Sequence, residues 1–87
     1  MLKTKSNKNK KFQITLHACN EQTDEYKTAA LVELCGHNYL QAIQCVLLSQ
    51  KIGHYVVFVD WEQDALDVYH NLRHDGLRVT MEKYKRV

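Results

Sequence analysis

Residues 36–60, GHNYLQAIQCVLLSQKIGHYVVFVD, decide the fold, because one helix with both ends marked runs straight into an apolar strand. Asn38 followed three residues later by Gln41 makes a capping-box start. Tyr39, Ala42, Ile43, Val46 and Leu47 then recur at i, i+3, i+4, i+7 and i+8, the stripe of an amphipathic helix. Gly53 ends it, since glycine takes the left-handed conformation of a helix stop without steric cost. In HYVVFVD the apolar residues are consecutive rather than alternating, which predicts a central or covered strand. Leu40 and Leu48 fall off the helical stripe, so the helix either packs on two sides, the expectation for a small layered domain, or offers apolar surface to a partner.

Working outward, Phe12, Ile14 and Leu16 alternate with Gln13, Thr15 and His17, the period of a strand with one buried face. Thr23 can cap a first helix that carries Asp24 and Glu25 in its opening turn, buries Tyr26, Ala30 and Leu34, and stops at Gly36. Downstream, Asp60 and Gln63 repeat the capping-box spacing, and Trp61, Ala65, Val68 and Leu72 supply the buried face of a third helix. Beyond Gly76, Leu77, Val79 and Met81 alternate with Arg78, Thr80 and Glu82 as a third strand. The predicted order is β-α-α-β-α-β: a two-layer α/β (α+β) domain with three helices on one side of a three-stranded sheet. Phe12, Ile14, Val46, Leu47, Val57, Trp61, Val68, Leu72 and Val79 are the expected core.

Eighty-seven residues allow one domain, and such a chain buries only about 60 to 65% of the surface its unfolded form exposes, which leaves little room for an elaborate cleft. The formal charge of +2 divides into +5 from Lys3, Lys5, Lys8, Lys10 and Lys11 and −3 from everything after them. Residues 1–11 hold almost no apolar side chains and read as a disordered basic tail, with residues 12–87 as the folded domain. The tail's lysines lack interleaved aromatics, so no specific nucleic-acid partner is expected. Cys19, Cys35 and Cys45 are odd in number and show no C-x-x-C spacing, which argues against a disulfide framework and fits a reducing cytoplasm. The longest apolar run, Tyr55 to Val59, is far short of the roughly 20 residues that span a bilayer, so no membrane partner is expected.

His17, Cys19, Cys35, His37, Cys45, His54, His70 and His74 show no recognised ligand spacing, and no metal or other cofactor is expected. Cys45 falls between core positions, where a thiol behaves as a small hydrophobe. The carboxylates sit in first turns or on polar faces, and the chain holds neither a glycine-rich phosphate loop nor a G-x-S-x-G elbow. No catalytic residue is assigned, and an enzyme is not expected.

The stretch QITLHACNEQTDEYKTAALVELCG, residues 13–36, with AIQCVLLSQKIG, VVFV and LRVTMEK further on, resembles the ClpS family, the adaptors that hand substrates to the Clp AAA+ protease. The resemblance covers Phe12 to Lys83. The later half, from VDWEQDALDV to GLRVTMEK, is also similar to the C-terminal domain of the bacterial ribosomal stalk protein, which has the same order of elements.

The family likeness implies a Clp AAA+ unfoldase and a substrate protein's N-terminus, or another protein, as partners. In that family an Asn-Asp-Asp loop and a helix-two histidine bind the substrate's α-amino group, and apolar residues hold a large side chain. A gapless alignment sets Ala18, Cys19 and Asn20 on the acidic loop, with Val46, Ser49 and Gln50 on the helix-two positions. A shifted one sets Asn20 and Glu21 on Asn-Asp and Thr23 on the family's threonine, with Gln50 replacing the histidine. The candidate substrate-binding residues are therefore Asn20, Glu21, Thr23, Val46, Ser49 and Gln50, in a diverged N-terminal-residue pocket. The family's lysine near the start of helix three falls at Asp64, a charge reversal on the protease-facing surface. The alternative is a non-enzymatic interaction module on the same fold, without recognition of N-terminal residues, binding another protein through helices one and two.

Overall fold

The computed structural model describes residues 10–84, and most of the expected basic tail lies outside the described residues. The order is β1 (Lys11–His17), α1 (Asp24–Cys35), α2 (Tyr39–Ile52), β2 (His54–Trp61), α3 (Glu62–His74) and β3 (Val79–Lys83). The strands form one antiparallel sheet in the order β2-β1-β3, with three helices on one side, as the sequence predicted.

β1 is the middle strand: Ile14 pairs with Phe58 and Met81, and Leu16 with Tyr55 and Val79. Ile14, Leu16 and Val79 meet Ala30 and Leu31 of α1, Ala42, Cys45 and Val46 of α2, and Leu72 of α3 in a single buried cluster, with Phe58 and Met81 packed against it. β2, expected to be central or covered, is instead an edge strand. Its consecutive apolar residues reflect an irregular register between Ile14 and Thr15, which leaves Val57 unopposed and turned into the core. The Val57 carbonyl takes a hydrogen bond from His37 Nε2 in the α1–α2 connection at 2.6 Å, which fixes the proton of that ring on Nε2.

Helix starts divide the same way. Thr23 Oγ1 accepts from the Tyr26 N–H at 3.0 Å, and Asn38 and Gln41 make the full capping box. The Asp60–Gln63 box is not made. β2 runs directly into α3, Trp61 stands at the cap position without a side-chain cap, and Asp60 Oδ1 accepts from the Trp61 N–H instead.

Trp61 therefore keeps its strand position, 41% exposed, opposite Lys11, whose ammonium lies 5.0 Å from the ring centre. Leu47, also expected in the core, is 50% exposed. The buried stripe of α2 is Ala42, Cys45, Val46 and Ser49, so the helix packs on one side and leaves Tyr39, Leu40 and Leu47 open. In α1 the buried residues are Lys27, Thr28, Ala30 and Leu31; of the predicted stripe Ala30 is buried and Leu34 half-buried against the core, while Tyr26 is exposed. Phe12 and Val68 are half-buried; Ile14, Val46, Val57, Leu72 and Val79 are buried as expected.

α3 ends in a Schellman turn: Gly76 N–H bonds to the Arg73 carbonyl and Leu77 N–H to that of Leu72, with both leucines buried. Gly76 has φ +89°, the left-handed region that favours glycine, and a Cβ there would lie 2.8 Å from Gln22 Nε2, the end of a flexible side chain that can shift away.

Candidate functional site

β1 delivers the chain to the loop Ala18–Thr23, which is tied to every neighbouring element. Ala18 N–H bonds to the Gly53 carbonyl after α2, and His17 N–H to the Arg78 carbonyl before β3. Gln22 Nε2 donates to the Gly76 carbonyl at 2.6 Å, and the Tyr26 hydroxyl to that of Asp75 at 2.7 Å. The Glu21 N–H points at Cys19 Sγ, 3.4 Å away.

At the centre lies Lys27, a residue that the sequence reading did not single out. Its side chain is fully buried, and its ammonium donates to the Cys19 carbonyl at 2.7 Å and to Gln50 Oε1 at 2.9 Å. Gln50 Oε1 also accepts from the Cys19 N–H at 2.8 Å, while Gln50 Nε2 donates to Asn20 Oδ1 at 3.3 Å. The amide orientation is thus set by its partners: two donors face the oxygen and an acceptor faces the nitrogen. Both acceptors of the ammonium are neutral groups, so its charge is solvated by dipoles rather than cancelled by an anion.

Of the six predicted binding residues, Asn20 and Gln50 are brought into contact, and Glu21 lies beside them on the rim of the same pocket, with Arg78 across from it. Thr23 is engaged as the α1 cap. Val46 is fully buried in the core cluster, and Ser49, equally buried, turns its hydroxyl onto the Val46 carbonyl at 2.7 Å. The signal for Lys27 was its spacing: Lys27, Ala30, Leu31 and Leu34 follow i, i+3, i+4 and i+7, a core stripe that includes one charge.

The pocket of about 420 Å³ around Asn20, Glu21 and Gln50 adjoins an open groove of about 580 Å³ along the start of β3. Arg73 and Arg78 face that groove, and so does His17, whose Nε2 lies 2.9 Å from Thr80 Oγ1. Arg73 donates to the Tyr69 hydroxyl at 3.1 Å with its guanidinium over that ring. Away from this face, burial pushes the Cys35 thiol up to about 12, helped by the neighbouring Cys45, whose own thiol is raised by burial. Neither is a thiolate nucleophile at neutral pH. Among the described residues no three or more His, Cys, Asp or Glu side chains are grouped to hold a metal ion, and no helix is long and apolar enough to cross a membrane.

No protein-family model and no curated protein matches the sequence. Among solved structures, that of Agrobacterium tumefaciens ClpS2 bound to L-phenylalaninamide is similar, with a TM-score of 0.71 and 17% identity over 86% of this chain and 98% of that one. At that identity the likeness is one of fold: the β-α-α-β-α-β arrangement found here is ClpS-like.

Proposed function

We propose that this chain is a ClpS-like adaptor, a cytoplasmic, non-enzymatic domain that binds protein substrates at the Ala18–Glu21 loop and Gln50 and delivers them to a Clp AAA+ unfoldase. In this reading its pocket does not grip the α-ammonium of an N-terminal residue. The observation that carries it is the position of the Lys27 ammonium on the Cys19 carbonyl and Gln50 Oε1. The gapless alignment sets Gln50 on the family's amine-binding histidine and Cys19 in its acidic loop, so a cation from the chain itself takes the Gln50 oxygen, while Cys19 brings no carboxylate and gives only its backbone carbonyl to that same cation. A second ammonium at about 4 Å would meet a repulsion of about 4 kcal/mol at an effective dielectric near 20. Asn20, Glu21 and Gln50 form the substrate-facing set, with Thr23, Val46 and Ser49 holding the loop and helix beneath them.

L-Phenylalaninamide offers a free α-ammonium and a benzyl group, and it is the direct probe. Titrated into the purified chain, it and peptides beginning with Leu, Phe, Trp or Tyr should bind at least about a hundredfold more weakly than to an adaptor that reads such termini, the equivalent of about 2.7 kcal/mol. Co-purification with a Clp unfoldase tests delivery. Low-micromolar binding lost in Glu21→Ala would refute the closed-pocket reading. Tyr39, Leu40 and Leu47, open on α2, favour the second reading, a plain interaction module, which gains if no unfoldase is captured.

A further inference from the structure

We infer that the groove between the Ala18–Glu21 loop and the start of β3 takes a carboxylate of a peptide partner. This names the substrate chemistry of the site proposed above and rests on the reading that this face binds protein. Two arginines, Arg73 and Arg78, line the groove together with His17. Behind the same loop lies the fully buried Lys27 ammonium, whose two acceptors carry no charge. A buried cation in a shell of dipoles projects its field into the adjoining cavity more strongly than one screened by water. Glu21 is the one carboxylate lining the groove among the described residues.

The balance on this face is therefore positive, and the geometry suits an oxyanion. Arg73 is held from behind by the Tyr69 hydroxyl and ring, which fixes its guanidinium before any ligand arrives. Arg78 is exposed, while its own carbonyl is pinned by the His17 N–H, so the backbone carrying it is fixed too. A planar guanidinium meets a carboxylate through two parallel N–H···O bonds, a match that an ammonium point charge does not offer. The groove thus recognises a charge opposite in sign to that of a peptide N-terminus.

Isothermal titration calorimetry on the purified chain tests this with three N-acetylated pentapeptides: one with a free C-terminal carboxylate, its neutral C-terminal amide, and the amide with a central Asp. Binding of the first but not the second supports a C-terminal carboxylate, and binding of the third supports an acidic side chain; either sustains the proposal. Arg78→Ala should weaken binding about tenfold or more, the loss of one charge-assisted contact. Glu21→Gln should tighten it, and added salt should weaken it. The proposal is overturned if the neutral amide binds as well as the acid, if inorganic phosphate binds and no carboxylate peptide does, or if Glu21→Gln weakens binding. It is overturned equally if no carboxylate peptide binds at all. The readout needs no unfoldase, so a failed capture of that partner counts against delivery and leaves this result standing.

Discussion

Replacing Gln50 by methionine keeps the length of the side chain and removes the oxygen that serves both the Lys27 ammonium and the Cys19 N–H. Loss of a hydrogen bond to a buried charge costs about 1.5–3 kcal/mol, and an orphaned buried N–H adds about 1–3 kcal/mol. Gln50→Met should therefore destabilise the chain by about 3–5 kcal/mol, a large share of the 5 to 15 kcal/mol typical of a domain. Lys27→Met removes two charged bonds, but it also removes the desolvation of a fully buried ammonium, itself several kcal/mol. Its net effect should lie within about 1 kcal/mol of zero, since apolar replacement of buried charge is often neutral. With the charge gone, the glutamine oxygen matters only to the Cys19 N–H, so the double variant should be about 2 kcal/mol more stable than the sum of the single effects implies. Urea unfolding followed by far-UV circular dichroism measures all three. Additive single effects, or a Gln50→Met loss below about 1 kcal/mol, would refute the claim that these neutral acceptors hold the ammonium.

Gly76→Ala should cost about 1–2 kcal/mol for the left-handed backbone, and in thermal melts the loss should persist when Gln22→Ala clears the space beside it. The Cys35 thiol ionises near 9 when free and near 12 in the fold, so the folded chain holds its proton longer. Its contribution is complete below pH 9 and disappears as pH rises toward 12; melting temperature should fall across that window, more steeply in the wild type than in Cys35→Ala.

The element order was legible because glycine stops and the Asn38–Gln41 box are local signals, readable without knowledge of what packs where. The phase of the helices was not. In α1 the core position 27 holds a lysine, so a search for apolar periodicity moved to Tyr26, which is exposed and bonded to the Asp75 carbonyl. In α2 the small Cys45 and Ser49 are inside and the larger Leu40 and Leu47 outside, the reverse of their hydropathy order. A run of apolar residues does not distinguish a covered strand from a bulged edge, which is why β2 reads as central or covered in the sequence. For the candidate site, the meeting of Asn20 and Gln50 followed from family resemblance rather than from local pattern. Lys27 escaped because a lysine is assumed to be solvated.

The central place of β1 also governs the timing of folding. Among the described segments it is synthesised first, yet both of its partners come later, and Phe12 pairs with Lys83 near the other end of the described chain. During translation its apolar face has no sheet to join until β2 emerges, and the second edge closes only when residues 79–83 leave the ribosome. Such pairings of high sequence separation fold slowly and all together. A chain that has emerged only as far as residue 78 could make the three described helices and the β1–β2 pair but would lack the β1–β3 edge, a substrate for chaperones rather than a shortened version of the domain.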